Sequence, residues 1–148
     1  MLQVRTGNSI NPDAAAAGKE MAAQVKENLS DMKMAFVYSG VQYDQKKLLD
    51  AVKEELPGVP LIGNTSFTGV ITPEGYITGE DGFAGIMALS DADLTVGVAG
   101  MPKEGTARET GHKVAEKAMK AAGKDEAPAY FYMSAPSGEE EYYLKGIT

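Results

Sequence analysis

The sequence predicts an α/β fold with a mixed sheet. Three observations point there: apolar residues recur at helical spacing in several stretches, short apolar runs of strand type lie between them, and mid-chain turns are too short for parallel crossovers. Parallel βαβ units are expected around a central antiparallel meander, with the helices packed on the sheet.

Residues 2–6 read as a short first strand. Asn11 is placed to cap a helix with Pro12 at its first position, where the missing N–H costs nothing. Ala14, Ala17, Met21, Val25 and Leu29 form that helix's apolar stripe, while Lys19, Glu20, Gln24 and Glu27 take the other side. Residues 34–38 (Met-Ala-Phe-Val-Tyr) read as a buried strand stopped by Ser39-Gly40. A second helix opens near Asp44, with Tyr43 and Leu48 spaced as a hydrophobic staple. Its stripe is Leu48, Leu49, Val52 and Leu56, and Pro57-Gly58 ends it. Residues 60–63 then form a strand whose helical connection implies parallel pairing.

From residue 70 to 99 the strand-like runs are 70–71, 76–78, 83–89 and 94–99. The run 83–89 is apolar on both faces, as a central strand requires. The run 94–99 gathers Thr95, Gly97 and Ala99 on one small face, against which a helix backbone can lie close. Thr106 and Glu109 make a capping box for a third helix that ends at Gly123. Residues 129–134 read as another strand. Ser137 with Glu140 has the spacing of a second capping box, opening a helix with Tyr143, Leu144 and Ile147 on one face.

Composition narrows the function. The 148 residues suit one domain, and 43% hydrophobic content supports a core. Fourteen basic against 21 acidic residues leave a net charge of −7, which argues against nucleic-acid and membrane partners. The chain has no cysteine, so disulfides, thiolate nucleophiles, zinc ribbons and iron–sulfur ligation are excluded. A single histidine, His112, excludes a histidine-rich metal site, and an exposed helix position is its expected role. No metal or cofactor is called for. No apolar run approaches the ~18 residues of a membrane span. The first ten residues lack a secretory signal's basic start and apolar stretch, so a cytoplasmic setting is expected.

The two helix–strand–loop–helix stretches align at an offset of 95 residues, placing Phe36 on Phe131, Ser39 on Ser134, Asp44 on Glu139 and Leu49 on Leu144. The second copy stops before the counterpart of residues 60–63. The chain is therefore read as part of a longer domain, truncated within the repeat, with an unpaired sheet edge beside residues 129–134.

Residues 34–40, then Tyr43-Asp44 opening a helix, then Gly58-Val59-Pro60-Leu61-Ile62-Gly63-Asn64-Thr65-Ser66, resemble the N-terminal part of FIST domains. Ser134-Ala135-Pro136-Ser137-Gly138-Glu139-Glu140 is similar to that family's later strand-to-helix turn. The resemblance implies an intracellular, prokaryotic sensory domain that binds a small molecule such as an amino acid and signals without catalysis. Its partners would be that ligand and the C-terminal part of the same domain or a downstream signalling domain. Relatives often carry a cysteine or small residue at the place of Asn64, so no thiol-dependent property transfers.

Open α/β sheets bind ligands at the carboxyl ends of strands. Ser39, Gly40 and Gln42 follow one such end, Asn64, Thr65 and Ser66 a second, and Ser134 and Ser137 a third. Their hydroxyls, amides and nearby helix N-termini suit a carboxylate or other small anion. The same residues also serve as ordinary turn and cap residues. The loop from Gly100 to Thr106 has the spacing of a phosphate loop, but Thr106-Ala107 stands where Lys-Ser/Thr is required. Two alternatives stay open: a hydrolase or transferase using Ser, Thr and carboxylates, and a structural module pairing through an exposed sheet edge, including with a second copy.

Overall fold

The computed structural model describes residues 1–148, and the chain divides into two compact units, Met1–Leu94 and Thr95–Thr148. In the first unit the elements are β1 (Gln3–Ser9), α1 (Ala14–Lys26), β2 (Met34–Gly40), α2 (Gln45–Glu55), β3 (Leu61–Ser66), β4 (Val70–Thr72), β5 (Gly75–Ile77) and β6 (Ala84–Ser90). The main sheet has the order β1-β6-β2-β3. β6 runs antiparallel to both neighbours, while β2 and β3 are parallel, so the sheet is mixed as the sequence predicts. β6 holds a central position because Ala84, Gly85, Ile86 and Ala88 are buried, which no edge strand could arrange. The predicted continuous meander does not form. β4 and β5 pair only with each other in a separate hairpin, and β6 leaves them for the main sheet.

α1 and α2 cover one face of this sheet. Ala14, Ala17, Met21, Val25 and Leu29, the predicted stripe, are buried in one core with Leu48, Val52, Leu56, Ala35, Val37, Ile86 and Ala88. The two helices approach closely: a Cβ on Gly18 would stand 2.6 Å from the Leu48 carbonyl oxygen. The staple of Tyr43 and Leu48 is formed, with both side chains buried. Asp44 caps α2 as expected, its carboxylate accepting the Lys47 N–H. α1 begins two residues later than predicted. Asp13 is its cap and accepts from Ala16 N–H, while Asn11 turns the chain before it by accepting from Asp13 N–H.

The second unit contains α3 (Ala107–Ala122) and α4 (Glu140–Ile147). The Thr106–Glu109 capping box is present in both directions, and Gly123 ends α3 in the left-handed conformation at φ 66°. The second predicted box is not formed. Gly138, at φ 91°, turns the chain after Ser137, so α4 starts from Glu139, and the Glu140 carboxylate accepts from Gly138 N–H. On α4 the buried residues are Tyr143 and Gly146, while Leu144 of the predicted face is exposed.

Residues 94–99 and 129–134 are not strands, contrary to their propensity. An extended run becomes a strand only where a neighbour completes a ladder, and both sheets of this fold lie within Gln3–Ser90. The small face of 94–99 does what was expected of it. Gly97 lies against α3 so closely that a Cβ would meet the Ala118 carbonyl oxygen.

Candidate functional site

Strand direction assembles the site. β1 and β2 both oppose β6, and β3 is parallel to β2, so the carboxyl ends of all three strands meet at one end of the sheet. In the ladder Ser9 aligns with Ala84, Ala84 with Ser39, and Ser39 with Thr65. Tyr38 aligns with Asn64 and Gly40 with Ser66 in the same way. The fold therefore brings together six of the predicted residues: Ser39, Gly40, Gln42, Asn64, Thr65 and Ser66.

Their environments differ. Ser39 is buried, and its hydroxyl donates to Gln45 Oε1 at 2.7 Å. Gln45 Nε2 donates in turn to the carbonyls of Gly40 at 2.9 Å and Tyr43 at 3.1 Å. This amide thus stitches the end of β2 to the start of α2. Gly40 has no room for a side chain, because a Cβ would meet both the Gln42 carboxamide and the Phe83 ring. Gln42, Asn64 and Thr65 are exposed, whereas the half-buried Ser66 donates its hydroxyl to Gly69 O at 2.5 Å. The free hydrogen-bonding groups at this end are the side chains of Gln42, Asn64 and Thr65. Ser39 and Ser66 shape the turns instead.

The N-terminus of α2 is already served by a negative charge. Asp44 sits on it and offsets the positive end of the helix dipole, so the preference for a small anion expected from the sequence is weakened there.

A polar cluster at the end of β1 went unread in the sequence. Ser9 Oγ donates to Glu20 at 2.5 Å, Asn11 Nδ2 donates to Glu20 at 2.7 Å, and the Tyr43 hydroxyl donates to Asn11 O at 2.6 Å. The hydrogen bond from Ser9, then that from Asn11, hold the Glu20 carboxyl below the usual carboxylate range, against the opposing effect of burial. Burial, and then the charge of Glu20, push the Tyr43 hydroxyl up. One turn along α1, Gln24 exchanges hydrogen bonds with the backbone of Asn8. The available signal was the i,i+4 spacing of Glu20 and Gln24, two polar residues flanking the apolar stripe on the strand-facing side.

In the second unit, Ser134 and Ser137 are exposed and precede α4. Two open grooves of about 440 and 370 Å³ flank α3, the first lined mainly by charged residues such as Lys113, Lys117 and Lys120 and the second by a mixture that includes Lys103, Arg108 and Glu139; neither includes Ser134 or Ser137. Lys103 bonds both oxygens of Glu139 at 2.7 Å, which raises its pKa. His112 is exposed, 3.4 Å from Glu116 on the same helix face.

No three His, Asp or Glu side chains converge as a metal site would require, and no helix is long and apolar enough to cross a membrane. Comparison with curated proteins finds no match to this chain. A family model, the FIST N domain, matches residues 33–148, from just before β2 through α4. The match takes in the β2–α2–β3 unit that builds the strand-end site and covers well over half of the sequence, so the chain belongs to the FIST family of sensory domains found in signalling proteins.

Proposed function

We propose that this chain senses a small polar metabolite, such as an amino acid, at the shared carboxyl end of β2 and β3, and that it does so without catalysis. The observation that carries the reading is the parallel register that sets Ser39 beside Thr65 and Gly40 beside Ser66, at the start of α2. Exposed Gln42, Asn64 and Thr65 supply amide and hydroxyl groups there, while the Gln45 network holds the backbone still. Asp44 at the helix N-terminus disfavours a multiply charged anion and favours a neutral or zwitterionic ligand. Within the second unit, Ser134 and Ser137 offer a separate polar loop before α4 as a ligand contact in its own right. Binding would then bias contact with another part of the signalling protein, which serves as the output partner in a cytoplasmic setting.

The test is a thermal-shift screen of the chain against amino acids and small organic acids, repeated with Asn64→Ala/Thr65→Ala and with Ser134→Ala/Ser137→Ala. A ligand at 100 times its Kd adds about 2.7 kcal/mol of stability. The reading expects a hit that the first double variant abolishes; a hit lost in the second belongs to the separate loop before α4. A hit that survives Asn64→Ala/Thr65→Ala removes the strand-end site, and a screen without any hit removes the metabolite class.

A further inference from the structure

The β4–β5 hairpin carries a surface that ligand binding does not use. In its register Ile71 faces Tyr76 across the two strands, and Val70 faces Ile77. Cross-strand partners share a face, so the two pairs lie on opposite sides of the hairpin. Val70 turns toward the main sheet, where it lies against Gly85. The other pair is turned outward: Ile71 is 89% exposed and Tyr76 57%. Phe67, in the turn that leads into β4, is 87% exposed.

These side chains stand on a stapled frame. Ser66 Oγ donates to Gly69 O, Thr78 Oγ1 donates to Thr68 O at 2.7 Å, and the Tyr76 ring lies against Gly69. A braced backbone lowers the entropic cost of ordering this segment on binding, and large apolar side chains are typical interface anchors. Scattered single exposures would need no explanation, but Ile71 and Tyr76 are paired on the outward face of the hairpin and Phe67 is exposed in the turn just before it.

Charge selects the occupant. Between Lys53 and Lys103 the chain has no basic residue and seven acidic ones. Three of the seven flank the patch: Glu74 in the hairpin turn, and Glu80 and Asp81 just after β5, all exposed. A second copy would bring the same acidic rim against itself, and an anionic lipid surface would be repelled as well. We infer that the outward pair Ile71 and Tyr76, with exposed Phe67 in the preceding turn and the acidic residues Glu74, Glu80 and Asp81 of the same segment as its rim, docks a basic amphipathic segment of a partner protein. Apolar anchors of the partner cover the three side chains while its Lys or Arg residues meet the rim. The surface begins one residue after Ser66, so a change at the strand end has a short path to it.

The inference stands on hairpin geometry and charge, and a failed metabolite screen leaves it untouched. Its test uses the full chain and a fluorescein-labelled amphipathic peptide of Leu and Lys, followed by fluorescence anisotropy. Binding is expected, with affinity falling about tenfold or more in Phe67→Ser and in Ile71→Ser/Tyr76→Ser. Glu74→Gln/Glu80→Gln/Asp81→Asn is expected to weaken it and flatten its salt dependence, whereas Asp91→Asn/Asp93→Asn leaves it unchanged. Phe67→Ser lies outside the hairpin ladder, so it reports on the patch even if the double variant loosens the strands. The proposal is overturned by failure of the peptide to bind, by unchanged binding in Phe67→Ser, or by equal binding of a Leu/Glu peptide. It is equally overturned if these substitutions instead abolish dimerisation in sedimentation or adsorption to phosphatidylcholine–phosphatidylserine vesicles.

Discussion

Removing the Gln45 amide should loosen the turn that frames the strand-end site, and the structure sets the size of the effect. Gln45 accepts one hydrogen bond from Ser39 and donates two, to Gly40 O and Tyr43 O. Each such bond contributes about 0.5–1.5 kcal/mol net, so three set a mid-range of roughly 3 kcal/mol and an upper bound of roughly 4.5 kcal/mol for Gln45→Ala. Gln45 is half-buried, and water recovers part of the loss at its exposed side, which brings the expected value to about 1–2 kcal/mol. Ser39→Ala removes only the first bond, at about 1 kcal/mol. Because that bond is common to both changes, the double variant should cost about 1 kcal/mol less than the sum of the singles. Urea titration followed by far-UV circular dichroism reads all three values. Additive single effects, or a Gln45→Ala change within ~0.5 kcal/mol of zero, would show that something other than this amide holds β2 to α2.

Gly111→Ala places a Cβ 2.4 Å from the Tyr143 carbonyl oxygen and should destabilise the α3–α4 pair by about 1–3 kcal/mol, while Gly100→Ala, which meets nothing within 4 Å, serves as a control in the same melts. Glu20 has a folded pKa lowered by Ser9 and Asn11, so its contribution is fully present above the ordinary carboxylate pKa and is lost as pH falls through the lowered one. Urea midpoints measured from neutral pH to pH 3 should therefore fall less steeply in Glu20→Gln, and parallel curves would contradict the network. His112→Ala should change stability by less than ~1 kcal/mol and leave ligand binding intact, as calorimetry and the thermal-shift assay can check, because the imidazole is exposed and meets only Glu116.

Helices were legible where one face had to be buried. The stripes of α1 and α2 became the core, with only Leu49 left half-buried against it, since a 3.6-residue period needs no partner to be recognised. The Thr106–Glu109 box and the Gly123 stop were legible for a similar reason: their hydrogen bonds close within four residues. Strands are different. Residues 94–99 and 129–134 carry the same β-branched and aromatic content as β2, and content alone cannot supply a ladder. At the site, the strand-end position of Ser39 and Asn64 was readable from punctuation after apolar runs. That the Ser39 and Ser66 hydroxyls would be spent inside the turns was not, because it depends on where Gln45 and Gly69 arrive in space.

The 95-residue offset acquires a physical content once the helix pairs are compared, each within its own unit. The caps of α2 and α4 are Asp44 and Glu139, related by that offset. In one pair Gly18 presses on the Leu48 carbonyl; in the other Gly111 presses on the carbonyl of Tyr143; Leu48 and Tyr143 are again 95 residues apart, and the two glycines 93. A helix contact through a glycine and a backbone oxygen leaves little freedom in spacing or crossing, so two such contacts at matching places point to one packing rule applied twice. The same rule makes different chemistry. Gln45, neutral, donates hydrogen bonds from its amide to the carbonyls of Gly40 and Tyr43, whereas Glu140, its counterpart at that offset, accepts a hydrogen bond from Gly138 N–H. The turn before α2 is thus closed by an uncharged donor and the turn before α4 by a carboxylate, beside which Glu139 already holds Lys103. The turns before α2 and α4 therefore differ in hydrogen-bonding character, and a ligand that suits the Ser39–Gln45 turn will be a poor match for the Ser134–Glu140 one.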